Sequence, residues 1–204
     1  MPESTNFMPF SSAFTFVKAA RKPGEMQDTP KSANAHEVGR VLMAGDRKGD
    51  NLLAAHAIYG MADLLTIVRG NDPDDLIKQV HTRIRKQDIG ANSYIYGSGS
   101  YPITSHYGKP LSRATFAPDG RKCAWVLATV GVADPAEVLA DGLLKREGIE
   151  FVAPVFGDPY DLFIFVKHDT FEGVQWIVDE EIRPLRNFIS TSTLIVTQQL
   201  QHKP

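Results

Sequence analysis

Two aspartates stand at matching places in this 204-residue chain. Asp63 follows Gly60-Met61-Ala62 and leads into Leu64-Leu65-Thr66-Ile67-Val68-Arg69. Asp161 follows Gly157-Asp158-Pro159-Tyr160 and leads into Leu162-Phe163-Ile164-Phe165-Val166-Lys167. A carboxylate at the mouth of a turn can meet the amine of a small ligand or a group on another subunit. It can also close its own turn by accepting from nearby backbone N–H groups, which is its commoner use. Gly60 and Gly157 serve backbone conformation more readily than ligand approach.

Histidine is the side chain that titrates closest to neutral pH and the commonest metal ligand. The six are His36, His56, His81, His106, His168 and His202, and none is paired at H-x-x-x-H or H-x-H spacing. No metal site is suggested by the spacing. His56 lies in the strand-like run Leu52–Tyr59 and is the best single candidate for acid–base or haem-ligand work; a satisfied core histidine is the commoner role. If the chain is an enzyme, His56, Asp63 and His106 are the residues to suspect. Cys123 is the lone cysteine, which excludes an intramolecular disulfide and a cysteine zinc cluster. Lys122 and Arg121 beside it would favour its thiolate, against the plainer reading of a strand residue. No catalytic set and no cofactor motif emerges. The run Gly97-Ser98-Gly99-Ser100 lacks the lysine and helix of a phosphate-binding loop.

These residues need elements to position them. Lys122–Ala133 is apolar and β-prone. Asp134-Pro135-Ala136-Glu137 then reads as a helix start, with a capping aspartate and a proline in the first turn. Val138, Leu139, Leu143 and Leu144 give its stripe, and Gly148 ends it. Strands follow over 149–156 and 161–167. Thr170 caps a second helix striped by Val174, Ile177, Val178, Ile182 and Leu185, and 192–198 is a last strand. The order is β-α-β-β-α-β, the split βαβ pattern.

The first half repeats it: a strand over Phe14–Ala20, a helix over Ala33–Ala44, strands Leu52–Tyr59 and Leu64–Arg69, a helix capped at Asp72, and a strand beginning at Ser93. The Gly-Ser run reads as the start of a connection. The predicted organisation is a unit at 12–97, a linker at 98–121 and a second unit at 122–200. The fold class is α+β, two ferredoxin-like βαββαβ units. Leu64–Val68 and Leu162–Val166 are continuous apolar runs, which implies burial on both faces.

Formal net charge is −2. Residues 122–204 carry seven basic and 12 acidic side chains, a poor surface for a polyanion, so no direct nucleic-acid partner is expected. No apolar run approaches the roughly 20 residues that span a bilayer, and the N-terminus has no signal-peptide pattern, so no membrane partner and a cytoplasmic location are expected.

The second half resembles the effector-binding (RAM) domain of the Lrp/AsnC regulators. The residues that carry this are the turn Phe156-Gly157-Asp158-Pro159-Tyr160-Asp161-Leu162 and the strand entry Thr191-Ser192-Thr193-Leu194-Ile195-Val196. The first half keeps Gly60 and Asp63 but has Ala62 at the tyrosine position. The family's DNA-reading helix-turn-helix has no counterpart here. The resemblance implies that the two units form an internal dimeric α/β barrel. It also implies a ligand site built from Gly157, Tyr160, Asp161, Thr191 and Thr193, with Gly60 and Asp63 as weaker counterparts. The leading expectation is therefore a binding and oligomerisation module for a small molecule such as an amino acid. It would have a regulatory role and no enzymatic activity, as a homo-oligomer with a small-molecule effector. The alternatives are a dimeric α/β-barrel enzyme of monooxygenase or haem-handling type, and a structural self-assembling protein.

Overall fold

A computed structural model describes residues 11–21, 31–45, 51–85, 88–89, 93–131 and 136–200. The first run of elements is β1 (Ser12–Arg21), α1 (Lys31–Gly45), β2 (Leu52–Tyr59), β3 (Leu64–Arg69), α2 (Pro73–Gln79), β4 (Asp88–Ile89) and β5 (Ser93–Pro102). The second run is β7 (Lys122–Val130), α4 (Ala136–Leu143), β8 (Ile149–Pro154), β9 (Leu162–His168), α5 (Phe171–Trp176) and β10 (Phe188–Leu200). Between them lie β6 (Tyr107–Gly108) and α3 (Arg113–Phe116). Both α2 and α5 widen into π-helical turns, over Val80–Arg85 and Ile177–Ile182. Among the described residues no helix is long and apolar enough to cross a membrane.

The starts of α2 and α5 follow the capping rules. Asp72 accepts from Asp75 N ahead of Pro73, and Thr170 accepts from Gly173 N. The expected cap at Asp134-Pro135 lies outside the described residues. One element departs from expectation. Gly97-Ser98-Gly99-Ser100 is not a linker but the middle of β5, paired antiparallel with Val17-Lys18 and their neighbours on β1. The ladder uses backbone groups that any residue supplies, so a sequence poor in side chains can still be strand when its neighbour fixes it.

The ten described strands form one antiparallel sheet in the order β4-β5-β1-β3-β2-β10-β7-β9-β8-β6. Each run contributes the same spatial order, β5-β1-β3-β2 and β10-β7-β9-β8, and the two join edge to edge through β2 and β10. The flanks also meet: Phe156 N donates to Pro102 O at 2.9 Å, Thr104 N to Pro154 O at 3.0 Å, and Ile103 bridges Val155. One face of the sheet encloses a core drawn from both runs, with Phe14 stacked on Phe163 at 4.5 Å and Trp125 tilted against Phe165 at 4.6 Å. The other face is covered by α1 and α2 in the first run and by α4 and α5 in the second. The continuous apolar strands are buried on both sides, as their composition requires.

The repeat reappears in individual hydrogen bonds. Asp63 N donates to Val17 O and its Oδ2 accepts from Ala19 N at 2.8 Å. Asp161 N donates to Ala128 O and its Oδ2 accepts from Val130 N at 2.8 Å. In each run the aspartate carbonyl also accepts from the strand before the turn, at Ile58 N and Val155 N. The carboxylate thus clamps the flared end of the first strand. The neighbouring glycines are required for separate reasons. Gly60 has φ +146°, and a Cβ at Gly157 would come within 2.6 Å of the Tyr101 ring.

Asp161→Ala leaves the Val130 N–H without its acceptor and is expected to cost about 1–3 kcal/mol in urea denaturation, with Asp161→Asn costing less. Wild-type stability in both variants would show that the clamp contributes nothing.

Candidate functional site

His56 projects from β2 into the shared core and is 1% exposed. One ring nitrogen, Nε2, lies 3.1 Å from the Phe116 carbonyl, which can only accept, so Nε2 carries the proton. Nδ1 then accepts from Trp125 Nε1 at 3.0 Å. Burial is the main reason its pKa falls from 6.5 to about 4, so the imidazole is neutral at pH 7. It stacks on Phe165 at 5.6 Å. Both nitrogens are engaged and the ring is walled by aromatics, so His56 has neither a lone pair for iron nor access to substrate. It is the satisfied core histidine.

The segment between the two runs closes this end of the core. Phe116 packs edge-on to Phe151 and Phe165, and its carbonyl takes a second hydrogen bond from Gln199 Nε2 at 2.9 Å. Arg113 donates from Nε and Nη2 to Leu52 O. Lys167 is 3% exposed and donates to Ala117 O and, at 3.0 Å, to Asp119 Oδ2. Burial opposes ionisation of Asp119, but hydrogen bonds from Arg121 and Lys167 outweigh it and hold its carboxyl far below the usual range. Cys123 lies nearby, and burial pushes its thiol up to about 12. The cationic neighbours expected to favour a thiolate are overridden by desolvation.

The residues expected to form one ligand site are not brought together. Alternation along β10 sends Leu194 and Val196 into the core and Thr193 and Ile195 to the helix-covered face. Tyr160 reaches the core-side residue, donating to Ser192 Oγ at 3.1 Å, while Tyr101 donates to Asp158 O at 3.0 Å. Thr191 and Thr193 belong to the opposite face. Gly157, Tyr160 and Asp161 therefore shape a turn, as do Gly60 and Asp63. His106 lies apart from His56 and Asp63 in sequence and stacks on Phe151 at 5.7 Å, its pKa lowered by burial and then by Arg69.

On the helix face lies a groove of about 420 Å³ between α5 and β10. Phe171, Val174, Val178 and Ile195 form its apolar wall, and Gln175, Asp179, Arg183 and Thr193 its polar end. Arg183 pairs with Asp179 one helical turn back and its Nε lies 3.4 Å from Thr191 Oγ1. Thr193 Oγ1 is buried without a hydrogen-bond partner, which points to an absent acceptor or donor at the groove. A smaller groove of about 200 Å³ recurs at the equivalent place in the first run, lined by Leu76, Ile77, Val80, His81, Ser100 and Pro102. The correspondence follows from the pairing. Ser100 faces Thr15 on β1 and Thr193 faces Val126 on β7, each two residues before the carbonyl bound by its aspartate N–H. Arg183 carried no sequence signal beyond its place on a helix; only the fold gives it a groove.

No protein-family model and no curated protein matches the chain. Solved structures do. The chain is similar to a siroheme decarboxylase, NirDL, in co-complex with an iron-uroporphyrin III analogue (11% identity, TM-score 0.56, covering 92% of this chain and 71% of that one). It is similar to a heme-binding protein from Thermus thermophilus (13%, TM-score 0.54, 94% and 92%). It is also similar to a mutant chlorite dismutase from Candidatus Nitrospira defluvii (13%, TM-score 0.51, 92% and 91%). At these identities the likeness is one of fold: a mixed α+β architecture with an antiparallel sheet. The Lrp/AsnC-like structure FFRP-DM1 is 28% identical but matches 37% of this chain with a TM-score of 0.34. The regulatory reading is thereby corrected. Its resemblance extends over part of the chain, whereas the neighbours spanning nearly all of it include chlorite dismutases, a siroheme decarboxylase, a heme-binding protein and a monooxygenase-like protein. The turn glycine and aspartate recur in both runs of this chain, where the aspartate closes the strand end, so they mark the repeated unit and not its use.

His56 also sets a pH dependence. Unfolded, it takes a proton near pH 6.5; folded, only near 4. Between those values the unfolded chain binds more protons, so stability is full above about 6.5 and falls as pH drops to about 4, by about 3 kcal/mol in all. Urea titrations at pH 7, 5.5 and 4.5 should show this loss, and His56→Gln should flatten it. An unchanged slope in the variant would remove His56 as its source.

Proposed function

We propose that the chain handles a tetrapyrrole as substrate or cargo, held in the groove between α5 and β10. The architecture proposed for it is an internal dimeric α/β barrel, with Ser12–Pro102 and Lys122–Leu200 as its two ferredoxin-like units. The duplicated aspartate clamp, the two shared edges and the likeness to ferredoxin-fold α+β structures over more than nine-tenths of the chain support this. The single observation that carries the ligand reading is the groove itself, an apolar slot with a guanidinium and an orphaned hydroxyl at one end. A flat apolar ring bearing carboxylates complements both features. Val174, Val178 and Ile195 would bury the ring, Arg183 would meet a carboxylate, and Thr193 Oγ1 would donate to it.

The residues present do not fit iron in that ring. Among the described residues the larger groove is lined by no imidazole or sulfur, its Asp179 is held by Arg183, and His56 has both nitrogens engaged. No step is therefore assigned to an iron centre. The ring is recognised by shape and charge.

Haemin and metal-free protoporphyrin, titrated separately and followed by Soret absorbance and tryptophan quenching, should bind with similar affinity. Arg183→Ala should weaken both about tenfold or more. His81→Ala, in the smaller groove, should change neither. Absence of binding at micromolar concentrations would end the proposal, and loss confined to haemin in His81→Ala would overturn the assignment to the larger groove.

A further inference from the structure

A second polar site lies inside the core at the end nearest β6, away from both grooves. Ser12 and Arg69 are directly paired on β1 and β3. Their neighbours Phe14 and Ile67, paired two residues on, both point into the shared core. Alternation therefore places the Ser12 hydroxyl and the Arg69 side chain on that same face. Ser12 is 0% exposed, and its Oγ has no hydrogen-bond partner. Arg69 is half-buried and donates from Nη2 to the Leu111 carbonyl. Among the described residues it has no carboxylate partner. His106, stacked on Phe151, lies close enough for the guanidinium to add to the effect of burial in keeping its imidazole neutral. Ser105, beside it in the chain, has a second buried hydroxyl oxygen without a partner.

A buried hydroxyl left unpaired costs about 1–3 kcal/mol, and a cation partly withdrawn from water without a counter-charge favours an anion beside it. A water molecule would satisfy the hydroxyl but not the charge. A carboxylate satisfies both, since one oxygen can accept from the guanidinium fork and the other from a hydroxyl. We infer that Ser12 and Arg69 form a binding site for a small carboxylate at the closed end of the core.

The probe is sodium formate, compared with sodium chloride at matched ionic strength, on the full chain. Formate at about 0.1 M should raise the melting temperature by about 2 °C or more over chloride, through binding to the folded state alone. Ser12→Ala should be as stable as wild type or more so in chloride, because it removes an orphaned hydroxyl, and should lose the formate increment. Arg69→Met should lose the increment too, whatever its own stability. No increment in the wild type overturns the site. So does an increment retained in both variants, or an equal destabilisation of Ser12→Ala in the two salts, which would mark a structural water.

Discussion

A sheet whose strands are apolar on both sides must have both sides covered, and every other feature of this chain follows from how that is met. Helices cover one face, as the βαββαβ order dictates. Among the described residues the other face meets only the short α3, at one end, and is otherwise dried by the sheet itself, whose two halves wrap their aromatic residues against one another. Phe14 and Phe16 come from one half, Trp125, Phe151, Phe163 and Phe165 from the other, so neither half has a complete core alone.

Filling the core with aromatic rings fixes what the polar groups inside it can do. His56 is held between a carbonyl and an indole N–H, and Lys167 between a carbonyl and Asp119. Each is satisfied, and satisfaction at low dielectric is what makes a buried polar group structural. The segment carrying Phe116 takes hydrogen bonds from residues of both halves and closes one end. On the helix-covered face, grooves lie between α5 and β10 and at the equivalent place in the first run.

The duplication is strict in the backbone and loose in the side chains. The aspartate clamp and the grooves recur at equivalent positions. Asp179 and Arg183 stand in one groove, His81 and Ile77 in the other, which also has half the volume. Elements that hold the fold were kept alike in both halves; residues facing the grooves were not.

The sequence by itself determined the repeat, the element order and, nearly to the residue, β2, β3 and the capped starts of α2 and α5, because apolar periodicity and capping chemistry act over a few neighbouring residues. It also contained the double burial of the strands. Only the tertiary structure decided that Gly97–Ser100 is strand, since its partner β1 lies some 80 residues away in sequence. Only it decided that Tyr160 and Thr193 serve opposite faces of β10, that His56 is spent on Phe116 and Trp125, and that Arg183 and Arg69 face polar atoms lacking partners. Those outcomes depend on contacts between distant segments, and local residue type carries no record of which segment will arrive.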